Sequence, residues 1–182
     1  MSSFDPRQLA EIDPKKISTA EFQELLTAAS QQAGEPGGTE GLEAVDPAAF
    51  ARLIGRARRD QLEAVMSSPV RSVVLDQIFH RFADHYRAGE PRPPKVIHWK
   101  VSGRPDGGVD EYELVLHGDR CEANSVVQHG ADTTIMLGGP EFLLLTSGNA
   151  KPTTMFMTGK LKVRGDLGLA AVLAKIFVIP TS

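Results

Sequence analysis

The chain of 182 residues is poor in the features that support disulfide-bonded or membrane-spanning structures. It has a single cysteine, Cys121, so no disulfide can form within the chain, and a reducing compartment is expected. The longest apolar stretch, residues 167–174, is too short to cross a bilayer, and the first residues lack the basic and apolar regions of a signal peptide. We therefore expect a cytoplasmic protein.

Net charge is also small. The formal net charge is −3, which provides no general attraction for nucleic acids or anionic membranes. The exception is the C-terminal part, where five basic residues and one acid, Asp166, follow residue 150. The sequence therefore predicts no nucleic-acid partner, but it leaves open a transient contact between this basic region and a membrane surface.

The short motifs of common catalytic and cofactor sites are missing. Neither the nucleophile elbow Gly-x-Ser-x-Gly, nor the zinc motif His-Glu-x-x-His, nor the dinucleotide motif Gly-x-Gly-x-x-Gly occurs. Gly159 and Lys160 do not form a phosphate-binding loop, because no Ser or Thr follows the lysine at the required spacing. No set of acid, base and nucleophile stands out, so we expect a protein that is not an enzyme and needs no cofactor.

Two groups of residues have side chains that commonly bind metals. Asp76, His80 and Asp84 are four residues apart on one predicted helix, so they share a face that could offer oxygen and imidazole ligands. His117 and Cys121 flank a predicted turn, but two ligands do not complete a metal site. A polar surface explains both groups more simply, and we predict no metal site.

The N-terminal third shows mainly helical patterns. Ser18 and Glu21 form a capping box at the start of a first helix. A glycine-rich segment predicts a flexible linker near residues 34–45, and one further helix is predicted from Asp46 to about Met66. We assign residues 1–66 to a helical N-terminal extension, which packs either on its own domain or on a second copy in a homodimer.

Residues 67–182 change from helical periodicity to the alternation typical of strands. After a helix that begins at Ser68 and Pro69, four strands are predicted within residues 97–137, two of them joined by a hairpin at residues 118–119. Short helical or turn segments begin near residues 139 and 151, and a last strand through Leu161 precedes a helix capped by Asp166. This order predicts an α+β fold with a mostly antiparallel sheet and helices gathered on one face.

The C-terminal two thirds of the chain also contain a set of residues that form a pattern. Their order and spacing together are more specific for a protein family than any single residue of the set. They lie between Val70 and Phe177, and they are Asp132, Glu141, Phe142, Gly148, Pro152, Phe156, Met157, Gly159, Lys160, Leu161, Lys162, Val163, Gly165, Asp166, Leu169 and Ala170. Together they resemble the sterol carrier protein type two family. The resemblance implies a five-stranded sheet under helices, which enclose a hydrophobic tunnel for a sterol, fatty acid, fatty acyl-CoA or phospholipid. It does not cover the first 66 residues.

The C-terminal tripeptide is not a peroxisomal signal, which departs from many eukaryotic members and favours a bacterial cytoplasmic protein. The expected function is lipid binding and transfer by residues 67–182. Candidate tunnel residues come from the first domain helix, the sheet and the C-terminal helices: Ile78, Phe82, Trp99, Leu137, Phe142, Leu145, Phe156, Leu161, Leu169, Leu173 and Phe177. Two alternatives stay open, namely an interaction module whose pocket is filled by protein, and an accessory domain that presents lipid to a lipid-metabolising enzyme.

Overall fold

The computed structural model describes residues 6–32, 47–84, 86–87 and 93–176. The N-terminal elements are two short 3-10 helices, Pro6–Glu11 and Pro14–Lys16, followed by α1 (Thr19–Gln32), α2 (Pro47–Arg56), α3 (Arg59–Met66) and α4 (Val70–Asp84). The remaining elements are β1 (Lys95–Ser102), β2 (Asp110–Leu116), β3 (Cys121–Asn124), β4 (Thr133–Gly138), α5 (Gly139–Thr146), α6 (Pro152–Met157), β5 (Leu161–Gly165) and α7 (Leu167–Ile176). The predicted linker near residues 34–45 lies outside the described residues.

The five strands form one sheet in the order β3-β2-β1-β4-β5. Strands β1 and β4 run parallel, and the other three neighbouring pairs are antiparallel. The predicted α+β fold with a mostly antiparallel sheet is therefore confirmed.

Helices cover one face of this sheet. Ile97, Trp99 and Leu114 belong to the same apolar core as the helices, because side chains of alternate residues along a strand point to the same face. On the other face, the ammonium group of Lys100 lies 3.1 Å from the carboxylate of Glu111, and both side chains are well exposed. The core, and any cavity within it, therefore lies between the sheet and the helices.

The N-terminal helices share this core. Phe22 of α1 and Ile54 of α2 are fully buried in one cluster with the sheet residues. Nη1 of Arg59 on α3 lies 2.6 Å from Oε1 of Glu141 on α5, which adds an ion pair between the N-terminal helices and the rest of the fold. Of the two packing alternatives for these helices, the structure has them packed on their own domain. A homodimer through their remaining surface stays a prediction.

The prediction of one continuous helix from Asp46 to about Met66 is wrong, because the helix breaks between α2 and α3. Arg58 has an extended backbone, with φ −74° and ψ 157°, and its N–H donates to Oε1 of Gln61 at 2.9 Å. Nε2 of the buried Gln61 donates to the carbonyl oxygen of Pro14 at 2.9 Å. A contact with a 3-10 helix distant in sequence thus stabilises the break, and local periodicity does not record such a contact.

Gly165 and Asp166 form the corner between β5 and α7. Gly165 has φ +89°, and a Cβ at this position would clash with the carbonyl oxygen of Asp132, so this position requires glycine. Oδ1 of Asp166 accepts a hydrogen bond from the N–H of Leu169 at 3.0 Å, which confirms the predicted helix cap. The corner places the start of α7 against β4 and β5. Neither α7 nor any other described helix has the length and apolarity needed to cross a membrane.

Candidate functional site

A cavity of about 350 Å³ lies between the sheet and the C-terminal helices. Residues from α4, three strands, α5, α6 and the first part of α7 form its wall. They are Phe82, Trp99, Ile135, Leu145, Thr146, Pro152, Thr153, Phe156, Leu161, Val163, Leu167, Ala170 and Ala171. Two structural layers therefore face each other across a space that the described side chains do not fill.

Three adjacent strands supply one apolar side of the cavity. Trp99 on β1 is paired with Ile135 on β4, and Ile135 is paired with Val163 on β5. Leu161 precedes Val163 by two residues and therefore lies on the same face of the sheet. The alternation that buries one face of each strand also builds this side of the cavity.

The side of the cavity next to α4 is aromatic. The ring centroids of Phe82 and Trp99 are 5.7 Å apart, with an interplanar angle of 23°. Phe79 packs against both, with centroid distances of 5.6 Å to Phe82 and 6.0 Å to Trp99. Phe142 meets Trp99 edge-on at 5.8 Å. Aromatic pairs at such distances add stability to that gained by burying apolar area. This part of the wall is therefore supported by tightly packed aromatic rings.

The cavity opens to solvent between α6 and the start of α7. Phe156 and Leu167 line the cavity, yet their exposed fractions are 49% and 58%. Met157, the next residue after Phe156, is 79% exposed. Large apolar side chains are therefore exposed to solvent near the opening of the cavity. A ligand would enter through this opening.

Polar groups are few in the wall. The hydroxyl of Thr146 donates to the carbonyl oxygen of Phe142 at 2.8 Å, while Thr153 is exposed. The indole N–H of Trp99 is buried and has no hydrogen-bond partner in the described part of the chain. None of the described wall residues has an ionisable side chain. The described wall residues are suited to apolar groups, and they offer neither a counter-charge nor an acid–base pair.

Five of the predicted tunnel residues line the cavity: Phe82, Trp99, Leu145, Phe156 and Leu161. Three others, Ile78, Leu137 and Phe142, are buried in the core without lining the cavity, and Leu169 packs against that core while partly buried. The side chain of Leu173 and the whole of Phe177 lie outside the described residues. That any of these residues binds lipid stays a prediction.

The other wall residues were not among those predicted from the sequence, and they are Ile135, Thr146, Pro152, Thr153, Val163, Leu167, Ala170 and Ala171. Ile135 and Val163 had a usable signal, since each lies two residues from a predicted inward neighbour on its own strand. The small and polar residues had none. A cavity forms where side chains are too short to fill the space between the sheet and the helices. The periodicity of apolar residues indicates only the positions of large apolar side chains, so it does not identify these short ones.

A second, more polar cavity of about 290 Å³ lies between α4 and the residues that follow β3. The hydroxyl of Tyr112 donates to Oδ1 of Asp76 at 2.6 Å, and burial together with this carboxylate raises the pKa of Tyr112, so the phenol stays protonated. Nδ1 of His80 lies 2.7 Å from the carbonyl oxygen of Asp76. Asp76, His80 and Asp84, considered above as metal ligands, are all exposed. No group of three metal-ligating side chains occurs among the described residues.

A buried carboxylate lies on the face of the sheet opposite the helices. Glu113 on β2 accepts hydrogen bonds from Nδ2 of Asn124 at 3.1 Å and from the backbone N–H groups of Gln128 and His129 at 3.1 and 2.8 Å. Nδ1 of His129 lies 2.9 Å from Oε1 of Glu113, and Nε2 of His98 lies 3.4 Å from Oε2. Burial raises the pKa of Glu113, but the hydrogen bonds outweigh it and lower the pKa from 4.5 to about 2. Glu113 is remote from the cavity wall and fastens the loop after β3 to the sheet.

Residues 78–178, more than half of the chain, match the family described as the SCP-2 sterol transfer family. The chain belongs to this family. The resemblance inferred from the C-terminal motifs is thereby confirmed, and membership supports lipid binding and transfer in general.

Individual relatives are similar to parts of the chain. Hydroxysteroid dehydrogenase-like protein 2 of Mus musculus is 35% identical over 86 residues, which are 44% of this chain and 16% of that protein. Sterol carrier protein 2 of Bos taurus is 26% identical over 129 residues, which are 68% of this chain and 24% of that protein. The chain therefore spans less than a quarter of the length of these relatives. The solved apo form of Sterol Carrier Protein 2 from Yarrowia lipolytica is 27% identical, with a TM-score of 0.40, and the match covers 46% of this chain and 69% of that one.

Proposed function

We propose that the protein carries a hydrophobic lipid in the cavity between the sheet and helices α5–α7, without changing the lipid chemically. The observation that supports this most directly is an open apolar cavity whose described wall has no ionisable side chain. Family membership supports the same general role. The ligand is a sterol, a fatty acid, a fatty acyl-CoA or a phospholipid, whose apolar part leaves water for the cavity.

The hydrophobic effect provides the driving force. Removing about 300 Å² of an apolar tail from water yields roughly 7 kcal/mol at about 25 cal/mol per Å². Before any cost, about 7 kcal/mol corresponds to a dissociation constant on the order of 10 μM. Lost motional freedom and ordering of the wall weaken the binding from that value. One methylene group changes the energy by only about 0.8 kcal/mol, so the cavity discriminates weakly between tails.

The size and polarity of the cavity narrow the ligand further. Its volume of about 350 Å³ is near the lower end of the range for small-molecule pockets, roughly 300–1,000 Å³. One chain, or one compact ring system, fits better than a lipid that must bury two chains. A charged headgroup stays at the opening beside Phe156 and Leu167, because the described wall offers no cation to pair with it.

The sole tryptophan, Trp99, provides the test, because it is part of the cavity wall. Bromine quenches indole fluorescence at contact distance. The full chain is titrated with a brominated fatty acid and, separately, with the unbrominated parent. We expect saturable quenching by the brominated ligand alone.

Two matched variants locate the binding. Ala170→Phe fills the cavity and should abolish the quenching, whereas Ala20→Phe, at an exposed position of α1, should retain it. Circular dichroism checks that both variants fold. The proposal fails if the folded wild-type protein shows no quenching and equilibrium dialysis detects no bound fatty acid.

A further inference from the structure

The basic residues of the sheet region fall into two groups. Those of the first group each lie within 3.8 Å of a carboxylate oxygen, and they are Lys95, Lys100, Arg104 and Arg120. Those of the second group are exposed and form no ion pair with any described residue, and they are Lys151, Lys160, Lys162 and Arg164. The second group surrounds α6 and β5. This corner of the fold therefore presents positive charge that no described acid neutralises.

The same corner exposes apolar surface. Three of the five large apolar side chains that are exposed among the described residues lie on α6 and at the start of α7, namely Phe156, Met157 and Leu167. Phe156 and Leu167 line the opening of the cavity, whereas Met157 does not line it. Exposed apolar groups gathered in one place usually mark a contact surface.

Helix α6 brings the two features together. Lys151 immediately precedes this helix of six residues, and Lys160 follows it in a turn where Gly159 has φ +74°. The N–H of Lys160 donates to the carbonyl oxygen of Met155 at 2.9 Å, which holds the turn against the helix. The two lysines therefore lie at the two ends of an element that is about 9 Å long and carries the exposed apolar residues between them.

We propose that the α6 surface, defined as Lys151, Phe156, Met157, Lys160 and Leu167, docks the opening of the cavity onto an anionic lipid bilayer. Apolar tips can enter the acyl boundary of a bilayer while the flanking ammonium groups stay among the negative headgroups. We expect a membrane as the partner because Phe156 and Leu167 of this surface also line the opening of the cavity. A lipid then passes between bilayer and cavity without crossing water, so this inference rests on the proposed carrier function.

Vesicle co-sedimentation of the full chain tests the docking. One set of vesicles contains phosphatidylcholine alone, and the other contains phosphatidylcholine mixed with phosphatidylglycerol. We expect association with the anionic vesicles only, and weaker association as the salt concentration rises. The double variant Lys151→Gln with Lys160→Gln should weaken it about fivefold for each lysine removed. Met157→Ser should weaken it by a further factor of roughly five to ten.

Two matched controls carry the same chemical changes elsewhere. Lys15→Gln with Lys16→Gln removes two exposed lysines from the second 3-10 helix, and Val126→Ser removes an apolar side chain that is 64% exposed. Both controls should bind the anionic vesicles as the wild-type protein does. Equal binding by the α6 variants and the controls overturns the inference, and so does a wild-type protein that ignores anionic vesicles, the result expected if the surface serves an acidic protein partner.

The carrier proposal is tested separately in the same variants. None of the substituted residues lines the cavity, so quenching of Trp99 by brominated fatty acid without vesicles should persist in all of them. Lost docking cannot then be mistaken for lost lipid binding. If wild-type quenching is intact but vesicle binding is absent, only the docking inference fails.

Discussion

Phe82 of α4 stacks against Trp99 of β1, with ring centroids 5.7 Å apart and an interplanar angle of 23°. Both rings are buried, and both line the cavity. This contact joins the helical layer to the sheet at the place where the two layers begin to leave space between them. Aromatic packing on one side and a void on the other give the cavity a stable wall.

Replacing Phe82 by Ala should lower the free energy of unfolding by about 3 kcal/mol. This is the low end of the range for a large aromatic residue, because one side of the ring already faces a cavity. Trp99 loses its stacked neighbour, so its emission maximum should move to longer wavelength. Urea denaturation followed by circular dichroism gives the first quantity, and fluorescence of the native variant gives the second. An unchanged emission maximum would contradict the stacking.

Phe142 and Phe156 were both predicted to line the tunnel, but their environments differ. Phe142 is fully buried, whereas Phe156 is 49% exposed at the opening. Phe142→Ala should therefore cost about 3–5 kcal/mol of stability. Phe156→Ala should cost less than about 1 kcal/mol, yet it should weaken the binding of brominated fatty acid. Denaturation curves and Trp99 quenching separate the two effects, and the reverse pattern would show that the wall has been assigned to the wrong phenylalanine.

Glu113 should make stability fall at acidic pH. Its pKa is lowered from 4.5 in the unfolded chain to about 2 in the folded protein, so the folded state favours the carboxylate. The stability it contributes is fully present above about pH 4.5 and is lost as the pH falls towards about 2.

Glu113→Gln should flatten this pH dependence, while Glu111→Gln, an exposed carboxylate on the same strand, should leave it nearly unchanged. Urea denaturation across the acidic range measures both slopes. Identical slopes for the two variants would rule out Glu113 as the titrating group.

Arg71 should be one of the most sensitive positions outside the cavity. Its side chain is 5% exposed, with Nε 2.6 Å from Oδ2 of Asp110, and its guanidinium donates to the carbonyl oxygens of Met66 and Val101 at 3.1 and 2.7 Å. Arg71→Met leaves these acceptors unpaired and should cost about 3–5 kcal/mol. Arg71→Lys should recover only part of the loss, because one ammonium group cannot reproduce the planar set of donors. Full recovery by Lys in urea denaturation would argue against the network.

Cys121 should react slowly while the protein is folded. Burial raises the pKa of its thiol to about 12, and the nearby charge of Glu122 acts in the same direction. Little thiolate is then present near neutral pH, so iodoacetamide labelling should be slow in buffer and fast in denaturant. Mass spectrometry of the alkylated chain measures both rates. Fast labelling of the native protein would show that the β3 edge opens readily.

Local interactions explain which parts of the fold could be predicted. The capping box of Ser18 and Glu21 forms as expected, with hydrogen bonds of 2.7 and 3.1 Å, because its partners are three residues apart. Strand alternation likewise predicted Trp99 of β1 and Leu161 of β5 as inward residues, and both line the cavity. The break at Arg58 was missed, since it depends on Gln61 reaching Pro14, a residue far away in sequence.

The amino-acid sequence by itself determined the strands, the helix caps and the alternation of apolar side chains along the strands, because these depend on neighbours a few residues away. Only the tertiary structure decided which inward side chains meet other atoms and which meet a void. Ile135 and Leu137 lie on the same face of β4, yet Ile135 lines the cavity and Leu137 is in the packed core. The difference arises from how closely α5, α6 and α7 approach the sheet at each point, and that approach is a property of the whole packed chain.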